Sequence, residues 1–363
     1  METSQLTRRI PARKLKKIIG DAKESARAVR LVYVNDRQEG IKREKKGMGF
    51  RYIFNNKVVI DKQQLARIRG LVLPPAWKDV WICAKENGHL QATGFDARGR
   101  KQYRYHPLWN QLRNQTKFYR MIDFGKALPR IRKALRKDLS RPGMEKQKVL
   151  ATIVTLMERT SIRIGNEEYE KANGSIGLTT MKNKHVEVKG SSLKFSFIGK
   201  KGKEHLISIK SKRLSRIIRH CRELPGRELF QYYDEEGVRH PIDSGMVNDY
   251  IREISGSEFT AKDFRTWAGT VQCLIALKEC GQAQSKTEAR KIMTEVLDKV
   301  AGHLGNTRTV CKKYYVHPCI GELYENQKLQ VYLDKLEISG KKPRPGGLTE
   351  EEKLVVDIIK KAA

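Results

Sequence analysis

Acidic residues are scarce in this chain. Asp and Glu number 41 against 74 Lys and Arg, which leaves a net charge of +33 over 363 residues. Such a surplus repels itself in the compact state, so its presence points to a polyanionic partner, of which DNA is the densest common kind. Charge alone does not separate DNA from RNA. Long apolar runs are absent too: none approaches the roughly 20 residues needed to span a bilayer. The basic stretch Met1–Lys17 lacks an apolar signal core. The expectation is a cytoplasmic, nucleoid-associated protein without a membrane partner. Cysteine is sparse, and Cys83, Cys221, Cys273, Cys280, Cys311 and Cys319 form no C-x-x-C pair and no zinc-finger spacing to a histidine pair. They read as reduced thiols with no structural metal. In that setting Asn114-Gln115-Thr116 and Asn173-Gly174-Ser175 are chance matches to the glycosylation pattern. Also missing are a Walker A loop, G-x-G-x-x-G, H-E-x-x-H and G-x-S-x-G. Their absence argues against ATP, a dinucleotide or a zinc-bound water, so any reaction must run on side chains alone, with no cofactor.

Hydrophobic residues make up 39% of the chain, too many for a disordered polymer, and its length allows two or three domains. Residues 1–48 are polar and basic, with a helix expected over Pro11–Arg30. Phe50–Phe54, Asn55-Asn56 and Val58–Ile60 read as strand, turn, strand. Lys62–Arg69 reads as a short helix stopped by Gly70 and Pro74-Pro75. Val80–Ala84 and Leu90–Phe95 flank Asn87-Gly88, a type I′ hairpin signal because both central residues of that turn need positive φ. Residues 1–112 therefore form a small strand-rich domain.

From residue 113 to 340 the texture is mainly helical. Lys146–Arg163 places Val149, Ile153, Leu156, Met157 and Thr160 on one stripe. A three-stranded meander follows over His185–Val188, Leu193–Ile198 and Glu204–Ile209. Helices fill most of 211–302, one of them opened by the capping box Ser285-x-x-Glu288. Gly340–Gly347 reads as a linker, and Thr349-x-x-Glu352 caps a final helix within 341–363. The expected fold class is α+β.

Within the second domain, basic residues recur in ordered segments that end near a tyrosine. Arg163 lies in Ser161-Ile162-Arg163-Ile164-Gly165, Lys200 in Gly199-Lys200-Lys201-Gly202, and Arg265 in Asp263-Phe264-Arg265-Thr266-Trp267. Asn306 lies in Leu304-Gly305-Asn306-Thr307, and Tyr315 in Lys313-Tyr314-Tyr315-Val316-His317-Pro318. These five segments, together with Gly99-Arg100-Lys101-Gln102-Tyr103, resemble type IB DNA topoisomerases of the small poxvirus and bacterial kind over about residues 50–320. Five motifs in order are far more specific than any one, since a lone Arg or Lys in a turn is most often a solvated charge. Nine residues before the nucleophile the viral members carry a histidine; here Asn306 stands nine before Tyr315, as in bacterial members, while His303 stands nine before Lys312. His303 reads as a residue favouring a helix C-terminus. The same spacing prefers Tyr315 over Tyr314, because neighbouring side chains on a helix diverge by about 100°.

The resemblance implies the roles. Arg163 and Arg265 would hold phosphate oxygens with rigid donor forks, Asn306 would add a neutral donor, and Tyr315 would attack. Lys200, preferred over Lys201, would protonate the leaving 5′ oxygen. Religation would need neither ATP nor metal, since the bond energy is kept in the tyrosyl ester. The partner would be double-stranded DNA, embraced by a monomeric clamp. Arg100, Lys101, Gln102, Tyr103, Tyr169 and Lys201 are the candidate DNA contacts. Arg104 and Tyr105 read equally well as the solvated face of an edge strand. Two rivals stand behind this reading. A tyrosine recombinase usually has His three residues before the second arginine, where this chain has Lys262. A non-catalytic basic DNA-binding protein would share only the charge.

Overall fold

The computed structural model describes residues 22–97, 101–335 and 347–362, without the side chains of residues 114–117, 119, 168, 169 and 172. Arg100, the Tyr169 side chain, Gly340–Gly346 of the linker and the first half of the expected helix Pro11–Arg30 lie outside that description. Within it, the helix spans Ala22–Ala28 (α1) and stops at Arg30, whose φ is 58°. The chain divides into two compact units, one ending at Tyr119 and the other beginning at Arg120. The mixed α+β class holds: strands dominate the first unit and helices the second.

The first unit is built on an antiparallel sheet of six strands in the order β3-β2-β1-β4-β5-β6. The strands are β1 (Ile41–Lys46), β2 (Gly49–Phe54), β3 (Lys57–Val58), β4 (Lys78–Ile82), β5 (Leu90–Phe95) and β6 (Lys101–Tyr105). Helix α2 (Lys62–Gly70), capped by Asp61 Oδ2 accepting from Gln64 N at 2.7 Å, covers one face. Ile41, Ile68, Val80, Ile82 and Ala92 form the core beneath it. Asn55 and Asn56 have φ of 50° and 60°, the pair of left-handed residues that a two-residue primed turn requires.

Asn87-Gly88 is not such a turn. Neither residue has positive φ, and β4 and β5 are joined by Cys83–His89. The peptide of Val32 intrudes, donating to Asn87 O at 2.9 Å and accepting from His89 N at 2.9 Å. Glycine is needed at 88 for another reason: a Cβ there would stand 2.5 Å from Cys83 Sγ. The N–G dipeptide marks a crowded loop in this chain.

The second unit takes in helix α3 (Pro107–Asp138) from Arg120 onward, then α4 (Lys146–Thr160) and α5 (Glu167–Asn173). The meander of β7 (Val186–Lys189), β8 (Ser192–Ile198) and β9 (Glu204–Lys210) follows, in the order β7-β8-β9. After it come α6 (Lys212–Glu223), the hairpin of β10 (Gln231–Tyr233) and β11 (Arg239–Pro241), and α7 (Ser244–Ser255). The chain continues through α8 (Ala261–Cys280), α9 (Lys286–Leu304), α10 (Arg308–Tyr314), α11 (Pro318–Glu325), α12 (Gln330–Leu333) and α13 (Glu350–Ala362).

Helix α8 is the hub, packing against α9, α4 and α13. Phe124 of α3 lies edge-on to Phe264 at 4.9 Å between ring centroids and to Phe259 at 5.2 Å. Rings buried this way each contribute roughly 1.5–3 kcal/mol through area alone. The terminal helix α13 is joined to this core by charge. Arg132 donates to Glu158 Oε1 and Glu352 Oε1, both at 2.7 Å, and Trp267 Nε1 donates to Glu352 Oε1 at 3.0 Å. Glu352 closes the expected capping box as well, accepting from Thr349 N at 2.9 Å. Among the described residues no helix is long and apolar enough to cross a membrane.

Candidate active site

Helix α4 ends at Ser161, which holds a left-handed conformation at φ 56°, so Arg163 sits past the helix on an extended segment. That segment is fixed by Leu178 N donating to Arg163 O at 2.8 Å and Thr179 N donating to Ile164 O at 2.6 Å. A non-glycine residue held in this region costs on the order of 1–3 kcal/mol and persists only where its surroundings over-determine it. Here they do: the Ser161 carbonyl accepts from Arg265 Nη1, and Ser161 Oγ lies 3.3 Å from His303 Nε2.

Arg265 projects from the first turns of α8 and is 4% exposed. Its other terminal nitrogen donates to Leu304 O at 2.7 Å, at the end of α9. Helix α9 closes on Gly305 with φ 60°, and Asn306 follows. Arg163 Nη2 donates to Gly305 O at 3.1 Å and to Asn306 Oδ1 at 2.5 Å. The Asn306 amide nitrogen is buried and meets no acceptor among the described residues. Buried donors are usually satisfied, so an unpaired one on the side chain that accepts from Arg163 marks a place for an anion.

Tyr315 caps α10, and its ring lies 5.2 Å from Arg265 Cζ. The Tyr315 carbonyl accepts from Thr270 Oγ1 at 3.2 Å. Gly269 of α8 lets this backbone come close: a Cβ there would lie 2.7 Å from Tyr315 O and 3.1 Å from Tyr315 Cβ. The Tyr314 ring has Lys313 Nζ 5.4 Å from its centroid. Four residues before Tyr315, burial pushes the Cys311 thiol up to about 11, so near neutral pH it stays protonated and a weak nucleophile.

Burial holds both arginines below their usual value. Arg163, with the Arg265 charge as the second cause, is pushed down to about 10. Both stay cationic at neutral pH. Among the described residues no carboxylate pairs with either charge; their favourable neighbours are Tyr315 and Cys311. Two like charges, one buried and one half-buried, with no counter-ion among the described residues are costly, and an incoming phosphate would relieve that cost.

Lys200 lies where expected, in the short turn Lys200–Gly202 between β8 and β9, and is exposed. Its ammonium makes no hydrogen bond or ion pair among the described residues. Lys201 occupies the same turn in a left-handed conformation, φ 64°. The structure brings four of the five candidates, Arg163, Arg265, Asn306 and Tyr315, into one cluster, with Lys200 on a separate tip. Among the candidate DNA contacts, Lys101 pairs with Asp36 at 2.5 Å and Gln102 Nε2 donates to Asp96 Oδ2 at 2.9 Å. Tyr103 is exposed and stacks on Tyr105, with centroids 6.0 Å apart.

Sequence reasoning missed Ser161, Gly269 and His205. His205 on β9 has its imidazole against Gly305 and near Arg163 and Arg265. One signal was available: His205 shares the half-buried face of β9 with Ile207 and Ile209. Among the described residues no three His, Cys, Asp or Glu side chains gather as metal ligands.

Comparison with known proteins gives the family. Residues 106–337 match the model of the eukaryotic DNA topoisomerase I catalytic core, and residues 49–96 match that of the bacterial DNA topoisomerase IB N-terminal domain. DNA topoisomerase 1B of Acanthamoeba polyphaga mimivirus is 34% identical over 296 residues, 79% of this chain and 88% of that protein. DNA topoisomerase 1B of vaccinia virus (strain Copenhagen) is 23% identical over 237 residues, 65% of this chain and 72% of the viral one. DNA topoisomerase 1 beta of Arabidopsis thaliana is 23% identical over 185 residues, 51% of this chain and 19% of the plant protein.

Proposed function

This chain belongs to the type IB DNA topoisomerase family and is a type I topoisomerase enzyme; on that premise we propose that it relaxes supercoiled DNA through a 3′-phosphotyrosine at Tyr315, without ATP or metal. The observation that carries the reading is the arginine pair: a buried and a half-buried guanidinium, no carboxylate paired with either among the described residues, and a tyrosine ring against one of them.

A phosphodiester resists attack because its non-bridging oxygens are negative. Arg163 and Arg265 offset that charge, and the unpaired Asn306 amide donates to a non-bridging oxygen. Tyr315 Oη attacks the phosphorus and gives its proton to solvent. The bond between phosphorus and the 5′ oxygen breaks, and Lys200 hands its proton to that oxygen, leaving a 5′ hydroxyl. The reverse steps reseal the strand after the downstream duplex has rotated. The arginines supply the electrostatic stabilisation that a metal ion supplies in other phosphoryl transfers. The resemblance further suggests a monomer whose two units close on duplex DNA, with Tyr103 and its neighbours on β6 as contacts.

The test is direct. Purified protein is mixed with negatively supercoiled plasmid in EDTA without ATP, and a parallel sample with a linear duplex labelled at the 5′ end of the cut strand is stopped with detergent. Relaxed topoisomers and a labelled protein–DNA adduct that maps to Tyr315 are expected. Untouched topoisomers, or an adduct on another residue, would overturn the assignment.

A further inference from the structure

We infer that His205 is a positioning residue for strand cleavage: its imidazole docks the Lys200 turn onto the Gly305–Asn306 turn. This rests on the proposed role of Lys200 as the acid of the reaction. The ring is held on three sides. Across the β8–β9 pair His205 stands opposite Phe197, and the two rings stack at 4.9 Å with planes 12° apart. On one edge lies Gly199, the residue before Lys200, where a Cβ would come within 2.7 Å of both Cδ2 and Nε2. On the other lies Gly305, where a Cβ would come within 2.2 Å of Cε1. Contact this close is possible only because both neighbours are glycines. The Gly305 carbonyl is the one that Arg163 grips at 3.1 Å, and Asn306 follows it.

Among the described residues the Lys200 side chain has no hydrogen bond or ion pair, and its turn is closed by Gly199 N donating to Lys203 O at 2.7 Å. An exposed hairpin tip of this kind can sample many positions, and a proton donor works only when it is held near the oxygen it serves. Through His205 the hairpin touches the segment that holds Arg163. The charged groups facing the imidazole are Arg163 from the segment after α4, Lys203 from the hairpin and Arg265 from α8, all cationic. Burial first, then those three charges, hold His205 below the usual histidine range, so the docked ring is neutral at physiological pH. A neutral ring can lie between two peptide backbones in this crowd of positive charge, whereas an imidazolium would be expelled.

The experiment separates positioning of the acid from general damage to the site. A cleavage site is mapped with the wild-type protein and placed in a duplex oligonucleotide. One version carries the normal phosphodiester and the other a sulfur in place of the bridging 5′ oxygen. A thiolate leaves without a proton, so the second substrate bypasses the acid. His205→Ser is compared with the wild type in single-turnover cleavage, alongside Lys200→Ala, the double variant and His205→Gln, which serves if the serine variant melts early.

Phosphodiester cleavage is expected to fall at least tenfold in the His205 variants and to return to within about threefold of wild type on the sulfur substrate. The double variant should cleave the phosphodiester within about twofold of Lys200→Ala, because the two residues act as one unit. Equal slowing on both substrates, cleavage within twofold of wild type on both, or additive losses in the double variant would overturn the inference. Failure of the wild-type protein to form any covalent adduct would instead sink the proposed function itself.

Discussion

Replacing Gly269 with alanine separates activity from stability. The added methyl would meet the Tyr315 carbonyl at 2.7 Å, about 0.7 Å inside the 3.4 Å at which ordinary contact begins. Tyr315 Cβ and Leu304 Cδ1, each at 3.1 Å, close the other routes of escape. Helix α8 is wedged against α9, α4 and α13, so the half-buried end of α10 at Tyr314 and Tyr315 is the part that yields. Overpacking of this kind costs about 1–3 kcal/mol. Alanine in a helix interior recovers roughly 0.8–1 kcal/mol over glycine. The net loss of stability is therefore about 0–2 kcal/mol, which corresponds to a few degrees in melting temperature for a unit of this size.

The effect on chemistry is larger. A displacement of about 1 Å at a reacting group can cost on the order of 100-fold in rate, so a shift of several tenths of an ångström should slow cleavage by roughly 10- to 100-fold. Single-turnover adduct formation and thermal melting on the same preparation test both halves. Cleavage at the wild-type rate would refute the close-packing argument. A loss of rate that merely tracks the unfolded fraction would refute the claim that the nucleophile has been moved.

Tyr315→Phe should abolish plasmid relaxation and retain DNA affinity in a filter-binding assay, whereas Tyr314→Phe should relax normally; the opposite pattern would shift the nucleophile by one position. Arg265→Lys should cleave at least ~100-fold more slowly in single-turnover assays, because an ammonium cannot span Ser161 O and Leu304 O as the guanidinium does. Glu352→Ala leaves Arg132 and Trp267 Nε1 without a shared acceptor. Loss of one partner of a buried pair costs roughly 3–5 kcal/mol, so calorimetry should show a fall of roughly 6–20 °C. Burial raises the Glu352 carboxyl, but the Arg132 guanidinium and the donors at Thr349 and Trp267 outweigh it and hold it below the usual glutamate range. Its contribution to stability is then full above about pH 4.3, the unfolded value, and is lost as pH falls through the lower folded one. Melting of the wild type below pH ~4 should drop more steeply than that of Glu352→Gln. Finally, DNA affinity should fall steeply with salt as bound counter-ions are released; a flat response would remove the case for a phosphate-gripping surface.

The sequence by itself determined the parts of this protein whose physics is local or whose order along the chain is distinctive. The alternation of the β7–β9 meander, the apolar stripe of α4 and the caps at Ser285 and Thr349 lie within reach of neighbouring residues, so they could be read directly. The five ordered segments pointed to Arg163, Lys200, Arg265, Asn306 and Tyr315 without any coordinates.

Tertiary structure decided the rest. Strand β1, Ile-Lys-Arg-Glu-Lys-Lys, has almost no apolar pattern and exists because β2 and β4 pair with it. Asn87-Gly88 carries the signal of a hairpin turn, yet the distant Val32 peptide occupies the space that such a turn would need. Gly269, Ser161 and His205 look unremarkable in one dimension. Their importance comes from groups tens of residues away that lie against them, and close approach between remote segments leaves no periodic trace along a chain.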